Sequence, residues 1–168
     1  LTIESAFAAG FDHVAHCAGA GRRTYIDMPN ALARGVRMAS DFLMALQLTG
    51  AARKTSIASL QLRLPAVVIG GGLTAIDTAT EALAYYPVQV EKFLHRYETL
   101  VAERGEDAVR AGWTAEETEI GDTFLEHALD IRDERTAARF AEREPHILGL
   151  LDSWGGVTMA YRRDLTDA

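Results

Sequence analysis

The residues best suited to chemistry lie in Pro65–Leu83, PAVVIGGGLTAIDTATEAL, where an apolar run meets three glycines and then a helical pattern. Gly70, Gly72 and Ala75 fit G-x-G-x-x-A, with Gly71, Leu73 and Thr74 completing the turn. In that pattern the first glycine permits a tight turn and the second lets a pyrophosphate reach the backbone without meeting a Cβ. The small third residue lets helix and strand pack closely. The helix start then offers unpaired N–H groups and partial positive charge. The turn therefore suits a dinucleotide. A glycine-rich turn with no ligand is the plainer alternative, and the order strand, turn, helix favours the dinucleotide. Asp77 is expected to cap the helix with Thr74, because a carboxylate aimed at a pyrophosphate would repel it.

A dinucleotide site also needs a group at the adenosine ribose, at the end of the neighbouring strand. If that strand is Val157 to Tyr161, the position falls on Tyr161, Arg162 and Arg163. Guanidinium groups there favour a 2′-phosphate through charge-assisted, bidentate bonds. This predicts NADPH over NADH. In the competing reading Asp164 accepts from a free 2′-hydroxyl and the arginines are surface charge.

Other candidates are weaker. On a strand His13 and His16 point to opposite faces, and His13 and Cys17 lie about 13 Å apart, so they cannot share a metal ion. His95, His127 and His146 lack ligand spacing and read as surface or packing residues. Cys17 reads as a small buried side chain, and Tyr85 and Tyr86 as helix packing.

Several elements must hold these residues in place. FDHVAHC, residues 11–17, reads as a buried strand ending in a small-residue turn. Residues 30–48 carry Leu32, Val36, Ala39, Phe42, Leu43 and Leu46 at helical spacing, with Gly35 delaying the firm start. Residues 49–63 read as a polar surface connection. Ala66–Ile69 suits a strand buried on both faces of a parallel sheet, and the following helix is expected to stop or bend at Pro87. Beyond it, Val90, Phe93, Leu94, Tyr97 and Val101 form one helical stripe. Thr114 and Glu117 have the spacing of a capping box for a second helix carrying Phe124, Leu125, Ala128, Leu129 and Ile131.

Charge divides the chain. Net charge is −7, and between Pro87 and Ser153 sixteen acids face eight bases. So acidic a surface argues against general affinity for nucleic acid or anionic membranes. The composition, 48% hydrophobic and 24% charged, is that of a globular protein. No apolar run reaches the roughly 18 to 20 residues of a membrane span, and the first residues lack a signal peptide's pattern. A cytoplasmic location is the expectation. One cysteine excludes an internal disulfide framework. The chain opens on Leu1 and stops soon after a predicted strand, which predicts a piece of a longer polypeptide.

VVIGGGLTAIDTATEAL together with VTMAYRRD resembles the pyridine-nucleotide domain of FAD-dependent oxidoreductases of the pyridine nucleotide-disulfide type, glutamate synthase small subunit-like. FDHVAHCAGAG is similar to that family's strand and ATG-like turn against FAD, although Cys17, Ala18 and Gly19 stand where the turn has its threonine. RGVRMASDFLMALQL resembles the helix linking the two nucleotide domains. The resemblance implies an α/β fold: a partial Rossmann-type NAD(P)-binding unit with parallel strands, interrupted by an acidic helical insertion. Residues 1–28 would end an FAD-binding domain and 29–64 form a helical connector. Residues 65–86 and 154–168 would begin an NADPH-binding domain, with 87–153 inserted. The implied cofactors are NADPH at Gly70–Ala75, Arg162 and Arg163, and FAD near Cys17–Gly19. Hydride would pass from NADPH to the flavin in the full-length protein. The amphipathic stripes of 87–153 suit packing on the chain's own sheet or, as the less common use, docking of an electron-acceptor or amidotransferase subunit, and a second copy of the chain is a further candidate partner. The alternative is a nucleotide-binding or assembly module without catalysis.

Overall fold

The computed structural model describes residues 2–15, 17 and 27–162. Their contacts divide into two units, 1–36 and 37–168. In the first, helix α1 (Ile3–Ala8) starts at a capping box in which Thr2 and Ser5 satisfy each other's backbone amides. It buries none of its residues. The strand expected at residues 11–17 does not form over the described residues 11–15, and Cys17 is exposed rather than buried. Phe11 and Val14 are exposed too, so this stretch lacks the covered apolar face that makes a buried strand stable.

The second unit contains α2 (Ala39–Leu48), β1 (Ala66–Ile69), α3 (Leu73–Arg104), α4 (Glu106–Arg110), α5 (Ala115–Phe140), α6 (Ile147–Ser153) and β2 (Val157–Ala160). Of the described residues, 57% are helical and 5% lie in strands. The expected Rossmann-type α/β fold is therefore corrected: the described residues are mainly helical and their sheet has two strands. These pair in parallel, with Ala66 opposite Val157 and Ile69 opposite Ala160. Nor is β1 buried on both faces, because Val68 points inward while Val67 is 65% exposed.

The helical surplus has a physical cause at Pro87. Far from stopping the helix, Pro87 lies buried inside the 32 residues of α3. An interior proline costs about 3 kcal/mol relative to alanine. Continuing the helix buries Tyr86, Val90 and Leu94 against Phe124, Ala128 and Ile131 of α5 and Leu151 of α6. Each large apolar side chain so buried contributes about 1.5–3 kcal/mol, so packing outweighs the local penalty. α3 also covers the sheet through Ala75 and Ala79, which meet Val68. Through Ala82 and Tyr85 it packs against Phe42, Leu46, Ala51 and Leu60. One helix thus enters all three apolar clusters.

The polar connection has its own device. Tyr85, Gln89, Lys92 and Arg96 recur along one face of α3 and hold the backbone of residues 51–62. The Leu60 amide donates to the Tyr85 hydroxyl at 3.0 Å. The Leu62 amide donates to Gln89 Oε1 at 2.7 Å, and Gln89 Nε2 donates to the Leu62 carbonyl at 2.8 Å. Lys92 Nζ donates to the carbonyls of Ala51 at 2.8 Å and Ala58 at 3.1 Å, and Arg96 reaches the Ser56 carbonyl. Segments without ladder partners must find acceptors and donors elsewhere when they pack. Here side chains of α3 supply them. Burial pushes the Lys92 pKa down, and neighbouring Arg96 adds to that shift.

The expected capping box at Thr114 and Glu117 forms and starts α5. Arg132 then bridges to Glu98 with two bonds of 2.9 Å, and Arg135 pairs with Glu91. These pairs between α3 and α5 are solvent-facing and contribute little individually. The apolar seam below them holds the helices together.

A buried polar group sits in that seam. The Tyr86 hydroxyl and His127 Nδ1 are 2.7 Å apart, and the His127 ring stacks on Trp154 at 3.8 Å and 8°. Burial depresses the His127 pKa, against the opposing pull of Glu126 and Asp130.

Two outcomes follow from this packing. Replacing Gln89 with alanine strands both polar groups of Leu62, and the urea midpoint should fall by the equivalent of about 1–3 kcal/mol with an unchanged slope. For His127, a depressed folded pKa means that the unfolded chain binds the proton more readily. Its contribution is complete above pH 6.5, the ordinary value, and is lost as pH falls below it. Urea midpoints at pH 7.5 and pH 5.5 should differ in the wild type and differ less in His127→Gln.

Candidate functional site

The glycine turn lies where the two strands end. The Ala66 amide donates to the Gly156 carbonyl at 3.0 Å, and the Gly70 amide to the Ala160 carbonyl at 2.9 Å. That second bond closes the sheet. Beyond it one chain turns through Gly70, Gly71 and Gly72 into α3, while the other continues to Tyr161 and Arg162.

Each glycine meets a different constraint. Gly70 has φ +145°, and a Cβ there would lie 3.3 Å from the Ala75 Cβ. Both observations match the demand for a tight turn with a small residue facing it. Gly71 is covered by the Tyr161 ring, so a Cβ would fall 2.2 Å from Cδ2. Gly72 is open: a Cβ there would meet nothing within 4 Å.

Gly72 is also the N-cap of α3, with φ −87° and ψ 175°, and no side chain caps the helix. Its carbonyl accepts from the amides of Ala75 at 2.9 Å and Ile76 at 3.2 Å. The amides of Leu73 and Thr74 are left for solvent or a ligand. The expected cap by Asp77 and Thr74 is absent; the Asp77 carbonyl instead accepts from the Thr80 hydroxyl, and the Thr74 carbonyl from the Thr78 hydroxyl. No acidic residue stands in the first turn of α3. No side chain of that turn therefore offsets its partial positive charge.

The structure brings Gly70, Gly71, Gly72, Leu73, Thr74 and Ala75 into one turn beside the end of β2, where Arg162 is exposed. Arg163, Ala18 and Gly19 lie outside the described residues. Cys17, the described member of the expected flavin turn, belongs to the other unit. Among the described residues no three His, Cys, Asp or Glu side chains cluster as a metal site, and no helix is long and apolar enough to cross a membrane. Sequence reasoning missed the Tyr161 contact with Gly71. The fingerprint leaves the residue between its first two glycines free, so only an aromatic at the end of the next strand hinted at it.

The fold and site define a mainly helical domain whose two parallel strands present a glycine turn at a bare helix start. No protein-family profile matches the chain, and no solved structure matches it. It is 38% identical over its 168 residues to the uncharacterized protein RP006 of Rickettsia prowazekii (strain Madrid E). The chain spans 21% of that protein's length.

Gly70→Ala should lower stability by about 1–3 kcal/mol through its backbone conformation, together with the crowding at Ala75. A thermal melt of the variant checks this, and an unchanged midpoint would mean that the turn has another conformation.

Proposed function

We propose that the turn from Gly70 to Ala75 holds the pyrophosphate of NADPH, with Arg162, and Arg163 beside it in sequence, serving the ribose 2′-phosphate. The observation that carries this reading is the uncapped start of α3, opening past a glycine whose missing side chain faces empty space. Leu73 and Thr74 amides there suit phosphate oxygens, and the absence of an acidic first turn spares them repulsion. Arg162, one residue beyond Tyr161 at the end of the paired strand, supplies charge on the adenosine side.

The donor set fits a phosphate-bearing dinucleotide, and bound NADPH would supply a hydride. The chain's own part is to bind and orient it. The described residues 11–15 form no strand that could end in a flavin-binding turn. A flavin acceptor, an electron-acceptor or amidotransferase partner and a cytoplasmic setting remain proposals about a longer protein, supported by the sequence resemblance.

Gly72→Ser separates binding from folding. Serine is a favoured N-cap in the extended conformation that Gly72 adopts, so the melting temperature should hold or rise. The same side chain fills the phosphate approach, so NADPH binding to the full-length protein, followed by nucleotide fluorescence, should weaken by at least about tenfold. Unchanged affinity in this variant would sink the assignment.

A further inference from the structure

We propose that Tyr161 is the positioning residue that sets preference between 2′-phosphorylated and unphosphorylated dinucleotides, by clasping Gly71. The inference rests on the nucleotide reading above and deepens it. The last bond of the sheet joins the Gly70 amide to the Ala160 carbonyl at 2.9 Å. Past it the two chains diverge, and no backbone ladder fixes Tyr161 or Arg162 against the turn.

The tyrosine ring bridges that gap. A Cβ at position 71 would stand 2.2 Å from Cδ2, 2.3 Å from Cε2 and 2.7 Å from Cγ of Tyr161. The ring lies on the glycine backbone itself, at a spacing no other residue type allows. Gly71 thus faces Tyr161, and Gly72 faces open space. The two adjacent glycines have separate duties: one leaves room for a ligand and the other for an aromatic side chain.

Arg162 follows Tyr161 directly. The clasp sets where the strand end leaves the sheet, and with it how the Arg162 guanidinium meets a group bound at the turn. A 2′-phosphate lies on that side of a dinucleotide, whereas the pyrophosphate rests on α3. Loosening the clasp should therefore weaken NADPH selectively. A role limited to stabilising the turn would weaken both nucleotides alike.

The test uses the full-length protein and measures dissociation constants for NADPH and NADH by fluorescence titration, with thermal melts beside them. In Gly71→Ala the methyl group displaces the ring; in Tyr161→Ala the ring is removed without a clash. Both should reduce the NADPH preference by about tenfold while changing NADH affinity less than about twofold. Tyr161→Phe, which keeps the ring, should retain the wild-type preference. Equal weakening of both nucleotides in Tyr161→Ala, or an unchanged preference, would overturn the role of Tyr161 while leaving nucleotide binding intact. A wild type that binds neither nucleotide would overturn the underlying reading and this role with it.

Discussion

The structure depends on α3 remaining continuous through Pro87. The helix loses one backbone bond there and keeps its course because Tyr86, Val90 and Leu94 are buried on either side of the proline. If the helix ended at residue 86, the seam with α5 would lose its facing residues. The bare N-terminus beside the glycines and the apolar seam toward Arg104 are two ends of one rigid element, about 48 Å long at 1.5 Å per residue.

That continuity gives α3 a second role as a backbone partner. Residues 51–62 have no sheet to join, yet Ala51 and Leu60 are buried. Tyr85, Gln89, Lys92 and Arg96 supply their hydrogen bonds from one face of the helix. Lys92 is held by two neutral carbonyl oxygens. This cation does structural work, although burial disfavours its charged form. The stripe carries both the polar bonds and, through Tyr85, part of the apolar cluster around Phe42 and Leu46.

The glycine turn inherits its form from this arrangement. β2 returns to pair with β1 after α4, α5 and α6 have packed along α3, and the Gly70 to Ala160 bond is the last link of the resulting sheet. Gly155 and Gly156 permit that return, both at positive φ, with Pro65 against the first. The acidic block and the turn are connected through α3, whose first half covers the strands with Ala75 and Ala79 and whose second half packs on α5 and α6.

Local patterns determined much of this from sequence. Ala66–Ile69 and Val157–Ala160 are legible as strands because short apolar, β-branched runs sit beside glycines. The start of α5 is legible because Thr114 and Glu117 form a reciprocal cap through contacts three residues apart. Where the outcome turned on partners distant in sequence, local patterns misled. Pro87 reads as a stop until α5 and α6 are placed against it, and residues 11–17 read as a buried strand although Phe11 and Val14 are left exposed. The two strands suggest a larger α/β sheet, but the helices pack on one another around α3. Gly71 and Tyr161 lie 90 positions apart, so their contact follows only from the parallel register. Sequence set the hydrogen-bonding and turn preferences of each segment; tertiary structure decided which faces were buried, because burial requires a partner that no single segment contains.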